Sequence, residues 1–211
     1  MIMEYYHSLI TQKSFDFLQK LRREFEFILI GGWAVFLYSH SLKSKDIDII
    51  VDYSQLAKLK EIYNVAKNDR LKKYEIKTGE FDIDVYLNHY SELGVGISEI
   101  EKYTAGKQGF RVPGLEILFL LKLFAWLSRR GSVKGKKDEL DIFSLAFLPE
   151  FDWLKYGKLV EDLKFEKYGQ SFLQLLTKTR AIAELGINEQ KMAKTRKNIL
   201  SKFIFGSRTL E

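Results

Sequence analysis

The sequence predicts an α+β fold that is α/β-like in its first part and purely helical in its second. At 211 residues the chain is long enough for two small domains, each with its own core. Short apolar runs, two of them with alternating aspartates, indicate strands up to about residue 113. Long segments with helical spacing follow Pro113 and Gly114. We therefore predict a first domain at residues 1–113 and a C-terminal helical domain at residues 114–211.

The elements of the first domain follow from its periodicity and its turn residues. Helices are predicted over residues 8–25, 33–39, 54–67 and 97–103. Strands are predicted over residues 25–30, 46–51, 74–77, 81–87 and 109–112. Residues 78–80, Thr-Gly-Glu, separate two of these strands and indicate a hairpin. Ser54 is interpreted as a helix N-cap, and Asp52, which ends a strand, as a turn or cap residue.

The second domain is predicted to consist of helices joined by short loops. Its helices are predicted over residues 115–130, 138–147, 153–165, 172–185 and 190–205. A glycine- and lysine-rich loop is predicted over residues 132–137. Gly186 fits the position after the fourth helix, and Asn188 is a candidate cap for the fifth. Trp126, Trp153 and Tyr156 occur at helical spacings and are predicted to be core residues.

Composition narrows the classes of protein that the chain can represent. The 46% apolar and 29% charged content is typical of a soluble globular protein. The chain has no cysteine, which excludes disulfides and thiolate metal sites and leads us to expect a cytoplasmic protein. Its longest apolar runs are interrupted by Gly31-Gly32 and by Lys122, so no membrane span is predicted. The net charge of +6 fits a polyanionic partner such as nucleic acid or nucleotide, and equally a lysine-rich solvated surface.

Aspartates alternate with branched apolar residues on two of the predicted strands. Asp46 and Asp48 share one strand parity, and so do Asp82 and Asp84. Acids on one face of a strand are costly unless a cation neutralises them, and Mg²⁺ prefers such oxygen ligands. We therefore predict that Asp46, Asp48 and Asp84 hold divalent metal. Asp82 is the alternative third ligand, but we prefer Asp84 because Asp84 lies deeper in the strand. The alternative to a metal site as a whole is an edge strand whose acids face solvent.

A glycine pair precedes the first acidic strand. Gly31 and Gly32 follow an apolar strand and open a short helix, so their N–H groups and the helix dipole suit a phosphate group. Such a pair on its own usually marks only a turn. Combined with the acids, it indicates a nucleotide triphosphate site with two metal ions, in which Asp84 could accept a proton from an acceptor hydroxyl.

At this point the chain resembles the nucleotidyltransferase superfamily, the DNA polymerase β-like fold. The resemblance rests on Gly31-Gly32, on Asp46-x-Asp48 and on a third aspartate on a later strand. Residues 109–116, Lys122, Arg129 or Arg130, and Lys137-Asp138-x-x-Asp141 resemble the bacterial and archaeal branch that contains the AbiEii-type toxins. The similarity covers roughly residues 25–147. It implies a mixed β-sheet flanked by helices at residues 1–113, as the catalytic domain.

The resemblance also implies an activity and a set of residue roles. It implies transfer of a nucleoside monophosphate from an NTP to a hydroxyl or phosphate of RNA, protein or a small molecule, with release of pyrophosphate. Asp46, Asp48 and Asp84 would be catalytic and would hold two Mg²⁺ or Mn²⁺ ions. The residues implied in nucleotide binding are Gly31, Gly32, Lys43, Lys122, Arg129, Lys137 and Asp141. A cognate antitoxin is an implied partner, because the branch contains members of toxin–antitoxin pairs.

Several of these roles have alternatives in the sequence. Many family members have a serine where Gly32 lies, and Ser39, Ser41 and Lys43 are candidate replacements. Lys122 and Arg129 are seven residues apart and share a helix face, which could also be a solvent stripe. Lys137 and Asp141 are four apart and could form an ion pair within one helix. The main alternative to a nucleotidyltransferase is an inactive nucleotide- or RNA-binding module. A two-metal phosphoesterase is the next alternative.

Overall fold

A computed structural model describes the backbone of residues 2–206 and the side chains of residues 8–202. Residues 207–211 of the predicted helical domain therefore lie outside the described residues. The chain divides into two compact units, Met1–Gly114 and Leu115–Glu211. No helix in the described part of the chain is both long and apolar enough to cross a membrane.

The first unit contains strands from two sheets and the helices between them. Its helices are α1 (Ile2–Glu24), α2 (Gly31–Ser39), α3 (Tyr53–Ile62) and α4 (Ile97–Lys102). Its strands are β1 (Ile28–Ile30), β2 (Ile47–Val51), β3 (Val65–Asn68), β4 (Lys73–Lys77), β5 (Asp82–Leu87), β6 (Thr104–Lys107) and β7 (Phe110–Pro113).

The main sheet of the first unit is mixed. Over the described residues it has five strands in the order β1-β2-β5-β4-β3. β2 and β5 are parallel, whereas the other neighbouring strands are antiparallel. Ile83, Val85 and Leu87 on β5 are fully buried, so the acids between them share the opposite face. This mixed sheet flanked by helices confirms the predicted fold class.

The second unit is helical throughout its described part. It contains α5 (Leu115–Ser128), α6 (Val133–Ala146), α7 (Trp153–Asp162), α8 (Glu166–Lys178), a 3₁₀ turn (Ala183–Leu185) and α9 (Glu189–Gly206). Phe119 lies among Phe151, Trp153, Tyr156 and Phe172, with ring centroids 5.0–6.1 Å from its own. Trp126, Trp153 and Tyr156 are buried, which confirms their prediction as core residues.

The structure corrects several predicted boundaries. The helix predicted over residues 54–67 ends at Ile62, and β3 follows because it pairs with β4. Its N-cap is Asp52, whose Oδ1 accepts from the Gln55 N–H at 2.8 Å, and not Ser54. The strand β6 was missed.

In the second unit the predicted loop over residues 132–137 is mostly the start of α6. Ser132 is the N-cap of α6, and its hydroxyl accepts a hydrogen bond from the Gly135 N–H at 3.0 Å. The helix predicted to end at residue 185 ends at Lys178, so Gly186 follows the 3₁₀ turn instead. Asn188 accepts from the Lys191 N–H at 2.8 Å, which confirms it as a cap.

Candidate active site

The first part of the site is the beginning of α2, where Gly31 lies against Asp48. Ile30 and Asp48 are partners in the antiparallel β1–β2 register, so the next residue, Gly31, turns over the aspartate. Gly31 has a φ of +68°, and a Cβ on this residue would overlap the Asp48 carboxylate. Both the backbone angle and the close approach therefore require glycine. The result is a carboxylate next to the first N–H groups of a helix.

Asp48 and Asp84 lie side by side on the parallel strands β2 and β5. They are direct register partners, so their side chains share one face of the sheet. Asp46 precedes β2, and its Oδ1 accepts a hydrogen bond from the Asp82 N–H at 3.2 Å. Parallel pairing thus brings Asp48 and Asp84 together, although they are 36 positions apart in the sequence.

Asp84 has an unusual electrostatic environment. Burial and the neighbouring charge of Asp48 raise the pKa of Asp84 to about 6, although the Lys73 ammonium acts in the opposite direction. Lys73 Nζ lies 2.6 Å from Asp84 Oδ2. Among the described residues, the other oxygen, Asp84 Oδ1, is buried and has no hydrogen-bond partner. Asp84 therefore keeps one oxygen for a ligand.

The alternative acid, Asp82, has different surroundings. Its carboxylate pairs with Lys77 at 2.7 Å, and its side chain is 40% exposed, compared with 17% for Asp84. Asp84, not Asp82, is in register with Asp48. The geometry thus favours Asp84, and its role as the third metal ligand stays a prediction.

Three nearby residues were missed by the sequence reasoning. Tyr86 donates a hydrogen bond from its hydroxyl to Asp48 Oδ1 at 3.3 Å. Lys73 and Glu75 lie on β4, where Glu75 is the register partner of Asp84. Strand parity offered a signal for all three. Residues two positions apart on a strand share a face, as Tyr86 does with Asp84 and Lys73 does with Glu75.

The side chains around Asp48 and Asp84 have the chemistry that a divalent ion needs. Carboxylate oxygens are the ligands that Mg²⁺ prefers, and the buried Asp84 Oδ1 is such an oxygen with no hydrogen-bond partner in the described part of the chain. Within the described residues no three Asp, Glu or His side chains already surround one point. Asp46 is instead engaged by a backbone N–H, and Asp84 by Lys73. The donor set fits a metal: Asp84 would coordinate through Oδ1 with Lys73 still on Oδ2, and only the contact of Asp46 would rearrange.

Lys43 lies in the segment between α2 and β2. Its side chain is exposed. Nearby, the hydroxyls of Ser39 and Ser41 are 2.7 Å apart, and the Ser44 hydroxyl donates to the Asp46 carbonyl at 3.0 Å. These contacts order the segment that leads into the acidic strand.

Three of the predicted nucleotide-binding residues of the second unit, Lys122, Arg129 and Asp141, belong to one ionic cluster between α5 and α6. Lys122 Nζ lies 2.7 Å from Asp141 Oδ2, and Arg129 contacts Asp138 through Nε at 2.5 Å and Nη2 at 2.7 Å. The side chain of Lys122 is only 9% exposed, so Lys122 is not on a solvent stripe, and Asp141 pairs across helices. Lys137 is exposed on α6. Their role in nucleotide binding stays a prediction.

Comparison with solved structures identifies the fold. A candidate nucleotidyltransferase from H. pylori is similar, with a TM-score of 0.51 and 15% identity over 97% of this chain and 98% of that chain. JHP933 from Helicobacter pylori has a TM-score of 0.46 and 15% identity over 95% of this chain and 98% of that chain. An antigenic nucleotidyltransferase-like protein from Paracoccidioides brasiliensis has a TM-score of 0.42 and 16% identity over 85% of this chain and 93% of that chain.

The first of these structures carries the conclusion about the fold. The chain has the nucleotidyltransferase fold, as the sequence resemblance implied. No family model and no curated protein matches the chain. The resemblance to the AbiEii-type branch stays a prediction.

Proposed function

We propose that the protein is a Mg²⁺-dependent nucleotidyltransferase. It would move a nucleoside monophosphate from an NTP to a hydroxyl or phosphate on an acceptor and release pyrophosphate. The observation that carries this proposal is the arrangement of Gly31, Asp48 and Asp84. Gly31 begins α2 and lies against Asp48, which is on the neighbouring strand β2. Asp84 is the parallel register partner of Asp48, so the three residues are neighbours. Helix N-terminus and carboxylates together suit a metal-bound polyphosphate.

The residues of the site divide the work of the reaction. The N–H groups of Gly31 and Gly32 bind phosphate oxygens at the positive end of α2. Asp46, Asp48 and Asp84 would hold the metal, which supplies charge neutralisation for the phosphates and activation of the acceptor. As the acceptor oxygen bonds to the α-phosphorus and the bond to pyrophosphate breaks, Asp84 takes the acceptor proton.

Other predicted residues would complete the nucleotide site. Lys43, Lys122, Arg129 and Lys137 carry the positive charge that a triphosphate needs, and Asp141 holds Lys122 in place through the 2.7 Å ion pair. The role of Lys43 in nucleotide binding is supported by its exposed position in the segment before Asp46. For the cluster of the second unit, the support is the sequence resemblance.

For the acceptor and the biological setting, we propose only broad classes. RNA, a protein or a small hydroxylated molecule is the acceptor, in a cytoplasmic protein with NTP as its other substrate. The net charge of +6 is compatible with an anionic acceptor. Membership of a toxin–antitoxin or defence pair, with a cognate antitoxin, rests on the resemblance to the AbiEii-type branch.

A labelling experiment tests the proposed reaction. The purified protein is incubated with each α-labelled NTP, Mg²⁺ and a cell extract, and label on extract components is measured. We expect transfer that falls at least about 100-fold in Asp48→Asn, because the metal-binding charge is lost. Asp69→Asn, an exposed acid that pairs with Lys67, is the matched control and should keep full activity. NTP binding without transfer in the parent protein would instead support the inactive binding module.

A further inference from the structure

Lys73 is a fixed positive charge on the acidic face of the sheet. It lies on β4, and its Nζ is 2.6 Å from Asp84 Oδ2 and 2.9 Å from Glu75 Oε1. All three side chains are largely buried. Burial opposes the charged form of Lys73, but its hydrogen bonds to Asp84 and Glu75 outweigh burial and raise the pKa of Lys73. The ammonium group is therefore held between two carboxylates.

The strand register explains why a cation is needed at this position. Glu75 and Asp84 are opposite each other on β4 and β5, and Asp48 is the partner of Asp84 on the other side. Like charges directly opposite on neighbouring strands destabilise a sheet. Lys77 also approaches Glu75, but at 3.9 Å and with a 59% exposed side chain. Lys73 is thus the closer and better-shielded counter-charge.

The contact with Lys73 also orients Asp84. The ammonium group engages Oδ2, and the buried Oδ1 has no hydrogen-bond partner among the described residues. A carboxylate that is held at one oxygen can rotate less about its χ angles. The free oxygen is consequently fixed in direction, on the face of the sheet that Asp84 shares with Asp48.

We propose that Lys73 is a positioning residue for nucleotidyl transfer, which holds Asp84 in its working orientation and competes with the divalent metal for the charge of Asp84 and Glu75. This inference rests on the proposed function. It makes two claims that can be separated by measurement. Removal of Lys73 should strengthen metal binding, because a competing cation is lost, and should slow transfer, because Asp84 loses its orientation.

The test compares Lys73→Met with Lys77→Met. Lys77 is a matched control because it lies on the same strand and face and pairs with Asp82 at 2.7 Å instead of with Asp84. Lys73→Arg keeps the positive charge and should recover most of the activity. If Lys73→Met fails to fold, the double variant Lys73→Met/Glu75→Gln removes one negative charge as well and is compared with Glu75→Gln alone.

The first measurement is Mn²⁺ binding to the full chain, by calorimetry without nucleotide. We expect Lys73→Met to bind Mn²⁺ about threefold or more tightly than Lys77→Met, since a unit charge is removed next to the ligands. The second measurement is the transfer rate at saturating NTP. We expect it to fall about tenfold or more in Lys73→Met, with the half-saturating NTP concentration unchanged.

The outcomes separate this inference from the proposed function. Tighter Mn²⁺ binding in Lys73→Met, together with a parent that transfers no label, supports the competition of Lys73 with the metal and contradicts the proposed reaction and the positioning role. A parent that transfers label, with Lys73→Met equal to Lys77→Met in both measurements, overturns the inference alone. A larger effect in Lys77→Met also overturns it, and would assign the third acid to Asp82.

Discussion

At the scale of single residues, the site depends on one close approach between backbone and side chain. Gly31 lets the first turn of α2 pass over Asp48, with a φ of +68° and no room for a Cβ. In the sequence, the glycine pair indicated a phosphate site. The structure gives two reasons for glycine at position 31, which are the positive φ and the contact with Asp48.

Gly31→Ala should therefore destabilise the protein more than an alanine at another glycine with positive φ. Gly79, with a φ of +90° and no atom within 4 Å of the position that a Cβ would take, is the matched control. Both variants incur about 1–2 kcal/mol of backbone strain. Gly31→Ala should lose about 1–3 kcal/mol more, because the methyl group overlaps a carboxylate.

The free energies of unfolding from urea titration measure this difference. Equal losses in the two variants would show that Asp48 moves aside without cost. In that case Gly31 would be required only for its backbone angle.

At the scale of elements, two helices of the second unit are joined by a buried ion pair, with a partly exposed pair beside it. Lys122 on α5 and Asp141 on α6 are 9% and 1% exposed, and Arg129 binds Asp138 next to them. Removal of one partner of a buried pair leaves an uncompensated charge, which is more costly than the loss of a surface pair. The cluster therefore contributes to the alignment of α5 with α6.

Lys122→Met should cost about 3 kcal/mol or more in the free energy of unfolding, because Asp141 loses its close counter-charge. Lys136→Met on α6 is the control, since Lys136 is 63% exposed and pairs with Glu139 at 3.3 Å. It should cost about 1 kcal/mol or less. Denaturation followed by far-UV circular dichroism measures both.

A double variant, Lys122→Met/Asp141→Leu, completes this test. It should recover much of the loss, because no buried charge is left unpaired. A double variant as unstable as the sum of its two single variants would contradict the ion-pair explanation.

The predicted elements differ from the observed ones where tertiary pairing decides the structure. Residues 63–67 continue the helical spacing of the segment before them, but Val65–Asn68 form β3 because β4 lies beside them. The strand β6 is likewise defined by its pairing with β7. In contrast, the hairpin of β4 and β5 was predictable, because alternation and a glycine turn are local signals.

At the scale of the whole molecule, the chain consists of two units that each bury their own core. The boundary lies between Gly114 and Leu115. Within the first unit, Tyr38 donates to the Pro113 carbonyl at 2.8 Å, and β7 lies in contact with β1. The last strand before the boundary therefore belongs to the first unit.

A fragment of residues 1–114 should fold by itself and unfold cooperatively, because its sheet and its β6–β7 hairpin are complete. A fragment of residues 1–103 should not, since it lacks β7 and leaves the edge strand β1 uncovered. Thermal denaturation by circular dichroism distinguishes them. Equal transitions in both fragments would contradict a structural role for β7.

The sequence by itself determined the fold class, the change to helices after Pro113, and the identity of the candidate acids. It could do so because strand alternation, helical spacing and glycine turns are local patterns. It also pointed to Asp84 over Asp82 as the third acid.

Only the tertiary structure decided which side chains meet. The parallel register of β2 with β5 brings Asp48 beside Asp84, the β4–β5 register adds Lys73 and Glu75, and helix packing pairs Lys122 with Asp141. Strand register and helix contacts depend on how distant segments bury their apolar faces together. A local pattern shows on which face of its own strand or helix a residue lies. Tertiary packing decides which residue of another element is its neighbour on that face.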